Sequence, residues 1–460
     1  MLYNDTIVAI ATAPGEGGIG IIRISGADAL AILEQIFRPV RAGAWRPFRM
    51  RYGKVIDAQQ QVIDEALAVY MRAPRSFTAE DIAEISCHGG QLVLEQVLQR
   101  ILELGARQAE AGEFTMRAFI NGRIDLTQAE ATLDVIQART STALAIAQAQ
   151  LGGWLAQELR QVREVILGPL AYMTALIDFP EDDVDTHEVV GPLQQALTQL
   201  QQLAASSDQG MVYRQGARAA LVGRPNAGKS SLLNALLRTD RAIVTPIPGT
   251  TRDTLEETAN LAGIPVVLID TAGIVETEDP VERLGVARSH SALASADLAL
   301  LVIDATATLS DDDLTIAALT REKPTILVLN KVDLTGEQQS DFSQIVRSIA
   351  QVTSFVTVVR TSALTQHGID ELVQAVSRQL VGVATPTHDR MVSSPRHREA
   401  LGRAINSLED ALTGIQLQGA APELLAIDLT NALAALGEIT GDTVGDDLLH
   451  AIFSRFCIGK

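Results

Sequence analysis

Gly223-Arg-Pro-Asn-Ala-Gly-Lys-Ser230 stands directly after the apolar run Ala217–Val222. Few folds accommodate that order. A buried strand must end in a glycine-bearing loop and a helix must begin near Lys229, so that backbone N–H groups and the helix N-terminus wrap a phosphate chain. Three more apolar runs deliver polar residues at their ends. Asp270-Thr-Ala-Gly273 closes Ile264–Ile269, Asn330-Lys-Val-Asp333 closes Pro324–Leu329, and Ser362-Ala-Leu364 follows Phe355–Arg360. A doubly wound parallel sheet binds its ligand at the carboxyl ends of its strands. The spacing therefore predicts a doubly wound P-loop domain over residues 216–381.

Each motif residue has a chemical role. Lys229 reaches the β- and γ-phosphates, the Ser230 hydroxyl ligates Mg²⁺, and Asp270 holds that metal through water. Asn226, Ala227, Gly228 and Ser231 complete the phosphate loop, and Thr271, Ala272 and Gly273 the next one. Gly273 brings an N–H close to the γ-phosphate because no Cβ intervenes. Asp333 offers two acceptor oxygens to the N1–H and 2-amino donors of guanine. Adenine lacks that pair, so the expected substrate is GTP. Asn330 and Lys331 support the base, and Ser362, Ala363 and Leu364 form the last base-side loop. Within Thr245-Pro-Ile-Pro-Gly-Thr-Thr251, both Thr250 and Thr251 are candidates for the threonine that senses the γ-phosphate.

The residue after Asp270-Thr-Ala-Gly273 is Ile274, where Ras-like proteins carry a glutamine that orients the attacking water. Isoleucine cannot do this, so the catalytic polar group comes from elsewhere; Arg252 stays open as a source. The pattern resembles GTPases with a hydrophobic residue at this position. In one branch of these a K⁺ ion held by a P-loop asparagine supplies transition-state charge, and a glutamate after the switch orients the water. Asn226 and Glu282 match by position. Glu282 reads equally well as a surface glutamate in the first turn of a helix, favoured by the dipole.

At 460 residues the chain has room for two to three domains. Hydrophobic residues make up 47% but aromatics only 4%, so the cores are built from Ala, Leu, Ile and Val, which suits α/β and helical domains. The net charge of −19 repels bulk nucleic acid, so action on RNA would need a partner that does much of the holding. Cys87 and Cys457 are far apart and outside any C-x-x-C, which argues against a disulfide scaffold or zinc site and fits a reducing compartment. The N-terminus has no basic n-region. No uncharged apolar run reaches the roughly 18–20 residues of a membrane span. A cytoplasmic protein is expected, with no membrane partner.

Residues 1–122 read as mixed β/α, with strands at Thr6–Thr12, Gly20–Ile24, Leu67–Met71 and Ile82–Ser86 and a helix at Gln91–Leu104. Residues 123–215 have long-helix composition. Thr127 and Glu130 have capping-box spacing, and breaks are expected at Gly152-Gly153, Gly168-Pro169 and Phe179-Pro180. After the nucleotide module, residues 382–460 become helical again. Ser394-Pro395 forms an N-cap and N1 pair, and helices restart near Pro422 and Asp446. The expected fold is thus multidomain: an α+β N-terminal domain, an all-α domain, and an α/β module inserted into the latter.

The chain ends in Phe456-Cys-Ile-Gly-Lys460. A prenylation box is excluded by the terminal lysine and the lack of a preceding polybasic segment. Cys457 by itself reads either as a small packed hydrophobe or, beside Arg455 and Lys460, as a reactive thiol. Taken with Gly17-Gly-Ile-Gly-Ile-Ile-Arg-Ile-Ser-Gly26 and Gly249-Thr-Thr-Arg-Asp253, this ending resembles the MnmE (TrmE) family of tRNA modification GTPases over essentially the whole chain.

The resemblance implies an N-terminal domain similar to the tetrahydrofolate-binding domains of aminomethyltransferases. Its folate contacts fall on Arg23, Glu80, Arg123 and Lys460, with 5-formyl- or 5,10-methylene-tetrahydrofolate as ligand. Without it, Arg23, Glu80 and Arg123 read as solvated surface charges. Arg123 stands where lysine is common, which keeps the charge and changes the geometry. The resemblance also implies K⁺ at Asn226, Thr245, Ile247 and Thr250, Mg²⁺ at Ser230 and Thr251, GTP contacts at Pro246, Pro248 and Gly249, and a catalytic role for Cys457. It further implies a homodimer through the N-terminal domains, a heterotetramer with the flavoprotein MnmG (GidA), tRNA as substrate and modification at C5 of the wobble uridine. The alternative is an Era-like GTPase switch in ribosome assembly. It predicts a basic RNA-binding module beside the GTPase, and the flanking helical halves are not lysine-rich.

Overall fold

The structure, a computed structural model, describes residues 5–179, 188–239, 256–271, 292–335, 342–382, 390–417 and 421–459. It divides into two compact units, one formed by Met1–Leu133 with Leu436–Lys460, the other by Asp134–Ala435. By packing, the end of the chain therefore belongs with its beginning.

In the first unit a sheet runs in the order β3-β4-β5-β6-β2-β1-β7. Its strands are β1 (Ile7–Ile10), β2 (Gly17–Ser25), β3 (Phe37–Pro39), β4 (Arg51–Ile56), β5 (Val62–Met71), β6 (Ile82–Gly89) and β7 (Arg107–Gln108). Pairing is antiparallel except where β1 meets β7. Alternation along the strands sends Ile22, Ile24, Val55, Ala66, Ala68, Ala83 and Ile85 to one face, where the helices Ala29–Ile36 and Gln91–Glu103 cover them. On the other face the register aligns Tyr52, Leu67, Ser86 and Ile21 across four neighbouring strands, with Tyr52 and Leu67 exposed. A second apolar cluster joins Leu126, Ala129 and Leu133 to Ile452, Phe453 and Phe456, which seats the helix Asp446–Phe453 in this unit.

The second unit holds a sheet in the order β13-β12-β11-β8-β10-β9. Its strands are β8 (Ala217–Val222), β9 (Glu256–Leu261), β10 (Ile264–Asp270), β11 (Leu298–Asp304), β12 (Thr325–Asn330) and β13 (Thr357–Arg360). Only the β9–β10 pair is antiparallel. The near-continuous apolar runs of β8, β11 and β12 suit strands covered on both faces, and apolar clusters lie on each side of the sheet. Because β8 pairs with both β10 and β11, the chain reverses its winding there, which is the switch point at which such sheets bind ligands. Helices Ser141–Leu151, Trp154–Asp178, Val190–Ala205, Ser207–Gln215 and Pro395–Gln416 form the helical part, from both sides of the inserted module.

Two expectations are corrected. The capping box of Leu126–Gln137 is not Thr127 with Glu130. Asp125 Oδ1 accepts from the Gln128 N–H at 3.0 Å and Gln128 Oε1 accepts from the Asp125 N–H at 3.1 Å, while the Thr127 hydroxyl donates to Asp125 at 2.5 Å. Aspartate is the stronger cap and starts the helix earlier. Nor does the chain break at Gly168-Pro169, because the helix Trp154–Asp178 runs through it. Proline gives up one intrahelical bond there. The buried stripe Leu159, Val162, Ile166, Pro169 and Met173 keeps the helix continuous. The break at Gly152-Gly153 and the Ser394-Pro395 start fall where expected.

Candidate functional site

The candidate nucleotide site lies at the carboxyl ends of β8, β10, β12 and β13. The loop after β8 turns through Asn226 and Gly228, both in the left-handed region, at φ 64° and 94°. A Cβ on Gly228 would collide with Asn330 Nδ2, so only glycine lets the two loops meet. Lys229, 6% exposed, donates to the carbonyls of Gly223 at 2.8 Å and Arg224 at 2.9 Å. Burial pulls its ammonium pKa down, against the charge of Asp270.

Ser230 Oγ donates to Asp270 Oδ2 at 2.7 Å, while Asp270 Oδ1 is buried with no hydrogen-bond partner among the described residues. A hydroxyl, a carboxylate and a spare buried oxygen form the hard oxygen donor set that Mg²⁺ prefers, so these residues fit the metal. The Thr271 hydroxyl serves the scaffold instead, donating to the Leu221 carbonyl at 2.6 Å and tying β10 to β8.

On the base side, Asn330 is 1% exposed and joins three loops. Its Nδ2 donates to the Ala227 carbonyl at 3.0 Å, and its Oδ1 accepts from Thr361 Oγ1 at 3.2 Å and the Ala363 N–H at 3.4 Å. Lys331, at φ 65°, donates to the Asn226 carbonyl at 2.7 Å and to Asp304 Oδ2 at 2.6 Å. Burial would raise the Asp304 pKa, but Lys331 and Thr306 more than offset that and hold it below the usual carboxylate range. Asp333 lies exposed in the turn Val332–Leu334, free to meet a base edge. Ser362 is buried and Leu364 exposed in the last loop, and Ser231 is exposed in the first turn after Lys229.

Sequence reading missed Asp304, Thr361 and the pair Arg224–Asp313 at 2.8 Å, which anchors the phosphate loop to the helix Asp311–Leu319. The polar end of the apolar run Leu298–Asp304 was the available signal for Asp304. Thr245, Pro246, Ile247, Pro248, Gly249, Thr250, Thr251, Ala272, Gly273, Glu282 and Lys460 lie outside the described residues.

A second cluster lies in the first unit, around Phe77–Glu80. The Arg23 guanidinium is 5.6 Å from the Phe77 ring centroid and 5.8 Å from that of Phe114, and its Nε donates to Glu84 at 2.7 Å. Arg123 lies 5.3 Å from the same Phe77 centroid and donates to the Phe77 carbonyl at 2.9 Å. Glu80 accepts from Ser25 Oγ at 2.7 Å and from Arg117 at 3.2 and 3.4 Å. Arg23, Glu80 and Arg123, widely spaced in sequence, thus converge on one short segment.

Beneath it, Arg117 and Glu113, each 1% exposed, pair at 2.9 Å, and Arg107 reaches Glu113 at 2.6 Å. Burial pushes the Glu113 pKa up, but bonds from Arg107, the Glu110 N–H and Arg117 outweigh it and leave it depressed. Ser25, Phe77, Arg107, Glu113 and Arg117 were not anticipated, since nothing in their local sequence distinguishes them from ordinary strand and helix residues.

The terminal segment is pinned beside this cluster. Ile458 bridges Ala111, and the Gly112 N–H donates to the Cys457 carbonyl at 3.4 Å. Gly459, at φ 98°, is so close to the Ile10 carbonyl that no Cβ fits. Ile10 follows Ala9, the cross-strand neighbour of Arg23. Cys457 is exposed, whereas Cys87 is buried and its thiol pKa is pushed up to about 11 by burial and the charge of Asp64. Among the described residues no helix is long and apolar enough to cross a membrane.

The family model described as the MnmE helical domain matches residues 126–457, and that of the GTP-binding protein TrmE N-terminus matches residues 6–123. The chain is 64% identical to the tRNA modification GTPase MnmE of Roseiflexus sp. (strain RS-1), over all of both chains. It is 59% identical to the protein of that name from Chloroflexus aurantiacus, over 99% of this chain and all of that one. Among solved structures, a point variant of Aquifex aeolicus Era bound to GDP·AlF4⁻ is 30% identical over 42% of this chain and 66% of its own, at a TM-score of 0.31.

Proposed function

The chain belongs to the MnmE family of tRNA modification GTPases, and on that premise we propose that it couples GTP hydrolysis to modification of the wobble uridine of tRNA at C5, with a one-carbon tetrahydrofolate as donor. One family accounts for the whole length, including the N-terminal and helical parts that an Era-like ribosome-assembly switch would have no use for.

In the hydrolytic part, Lys229 counters the negative charge on the β- and γ-phosphates, and Asp333 selects guanine. Ser230 and Asp270 would hold Mg²⁺, which supplies charge neutralisation at the phosphates when bound. Asn226 is the K⁺ ligand of this reading, with Thr245, Ile247 and Thr250, and Glu282 orients the attacking water. K⁺-dependent approach of two GTPase domains would assemble the site without a separate activating protein.

The observation that carries the folate reading is the convergence of Arg23, Glu80 and Arg123 on Phe77–Glu80. A carboxylate suits the donor edge of a pterin, and the guanidiniums suit the carboxylates of a glutamyl tail. Lys460 adds a further cation, and the seating of the terminal segment against Ile10 supports a place for Cys457 in the same chemistry. The exposed row of Tyr52 and Leu67 supports homodimerisation through the N-terminal unit. The net charge of −19 supports a division in which the flavoprotein MnmG holds much of the tRNA, in the cytoplasm.

The test is mass spectrometry of nucleosides from tRNA of cells lacking the protein, complemented with wild type or Cys457→Ser. Loss of 5-substituted wobble uridines, restored by wild type alone, is the expected result. Restoration by both demotes Cys457 to packing, and an unchanged profile overturns the reading. For the ion, hydrolysis is expected to be faster in KCl than in NaCl; equal rates remove Asn226 as a K⁺ ligand.

A further inference from the structure

We propose that Arg117 is the positioning residue of the folate site, holding Glu80 so that its open edge meets a ligand with two adjacent N–H donors, as on a 2-aminopyrimidinone ring. The inference rests on the folate reading above and extends it to a residue that touches no ligand.

All five N–H donors of the Arg117 guanidinium are engaged. Nε and Nη2 serve Glu113 Oε1 at 3.3 and 2.9 Å, and Nη2 also reaches Asp5 Oδ1 at 2.6 Å. Nη1 donates to the Asp5 carbonyl at 2.8 Å and straddles the two Glu80 oxygens. A planar cation saturated in this way, and 1% exposed, has no freedom to turn.

Glu80 is held from a second direction by Ser25, itself buried and joined to Thr78 at 2.6 Å. The Glu80 side chain retains 18% exposure. Arginine behind and serine beside it take some of the lone pairs of Glu80 and leave the rest for a ligand on its exposed side. Such an edge prefers paired N–H donors to a lone cation, because both oxygens must be met at once. Lysine at position 117 would keep the charge but offer three donors without the planar fork.

The experiment measures binding of 5-formyltetrahydrofolate to the full-length protein by titration calorimetry. The proteins compared are wild type, Glu80→Gln, Arg117→Lys and the variant carrying both. Wild type is expected to bind and Glu80→Gln to lose most affinity. Arg117→Lys is expected to lose about tenfold or more. In the Glu80→Gln background the second change should cost under about twofold, because the two residues act as one unit. A merely structural arginine would give losses that multiply.

Should Arg117→Lys fail to fold, Arg117→Met combined with Glu113→Met serves instead. Removing both partners of a buried pair is tolerated far better than removing one. Tight binding by that protein, or by Arg117→Lys, overturns the proposal alone. Absence of binding to wild type overturns the folate reading, and the proposal with it.

Discussion

The nucleotide site and the N-terminal ion cluster both hold charge, and they are built in opposite ways. In the first, the fixed side chains bond mostly to main chain: Lys229 to the Gly223 and Arg224 carbonyls, Asn330 to that of Ala227, Lys331 to that of Asn226. In the second, side chains hold side chains: Arg117 meets Asp5, Glu80 and Glu113, and Arg107 meets Asp5 and Glu113. A site built on backbone leaves its ligand-facing groups dispensable to folding. One built on mutual ion pairs makes binding and stability hard to separate.

Lys229→Ala puts the first half of that contrast at risk. On the proposed role of Lys229 at the phosphates, removal of this buried cation is expected to cut GTP hydrolysis on the order of 10²–10³-fold. Thermal unfolding of the N-terminal unit should not change. Single-turnover hydrolysis and calorimetry read both, and a loss under tenfold would mean that the phosphates are held chiefly by main-chain N–H groups.

Glu113→Gln probes the other half. It replaces the carboxylate between Arg107 and Arg117 by an amide while Asp5 and Glu80 still face Arg117, so the expected cost is up to about 3 kcal/mol, the lower end of what breaking a buried pair costs. The pH dependence has a fixed sign. The folded-state pKa of Glu113 is depressed. Its contribution is therefore complete above the unfolded value of about 4.3 and is lost as pH falls through the folded value. Urea unfolding at pH 7 and at acid pH should show wild type losing stability on acidification more steeply than the variant. Equal slopes would remove the cluster as the source.

The same contrast explains what could be read from the sequence. The backbone-built site is assembled from short motifs at strand ends, so strands β8, β10, β12 and β13 were legible from the apolar runs and their polar ends. β9 was not, since Glu256-Glu-Thr-Ala-Asn-Leu261 has only two apolar residues and follows a segment rich in turn signals. The ion cluster draws on residues 5, 23–25, 77–84 and 107–123, and no local pattern joins them. Arg23, Glu80 and Arg123 came from family resemblance alone. Seating of Phe453, Phe456 and Gly459 in the first unit was equally hidden, because pairing across the length of the chain leaves no periodicity.

Gly459→Ala tests whether the terminal segment depends on its fit. A residue with a Cβ at φ 98° is strained, and here it also meets the Ile10 carbonyl. A cost of about 1–3 kcal/mol is expected, localised to the terminal segment. Trypsin cleavage after the exposed Arg455 should accelerate, while Cys87, buried with its pKa near 11, stays unreactive to maleimide at neutral pH. Unchanged cleavage would show that Phe453 and Phe456 hold the segment without it.

The smallest effect is expected from Asp304→Asn, and it bears most closely on the comparison. Asp304 with Lys331 is a point where the nucleotide site uses the device of the ion cluster, carboxylate against cation at 2.6 Å. Yet Lys331 is 31% exposed and keeps its bond to the Asn226 carbonyl when Asp304 is neutral. Solvent screening discounts the pair, and asparagine still accepts a hydrogen bond, so about 0.5–1 kcal/mol should be lost, a few-fold in GDP affinity. Fluorescent GDP titration resolves that. A loss of a hundredfold would mean that the guanine loop depends on a side-chain ion pair as strongly as Glu113 does on Arg117, and the two sites would no longer differ in kind.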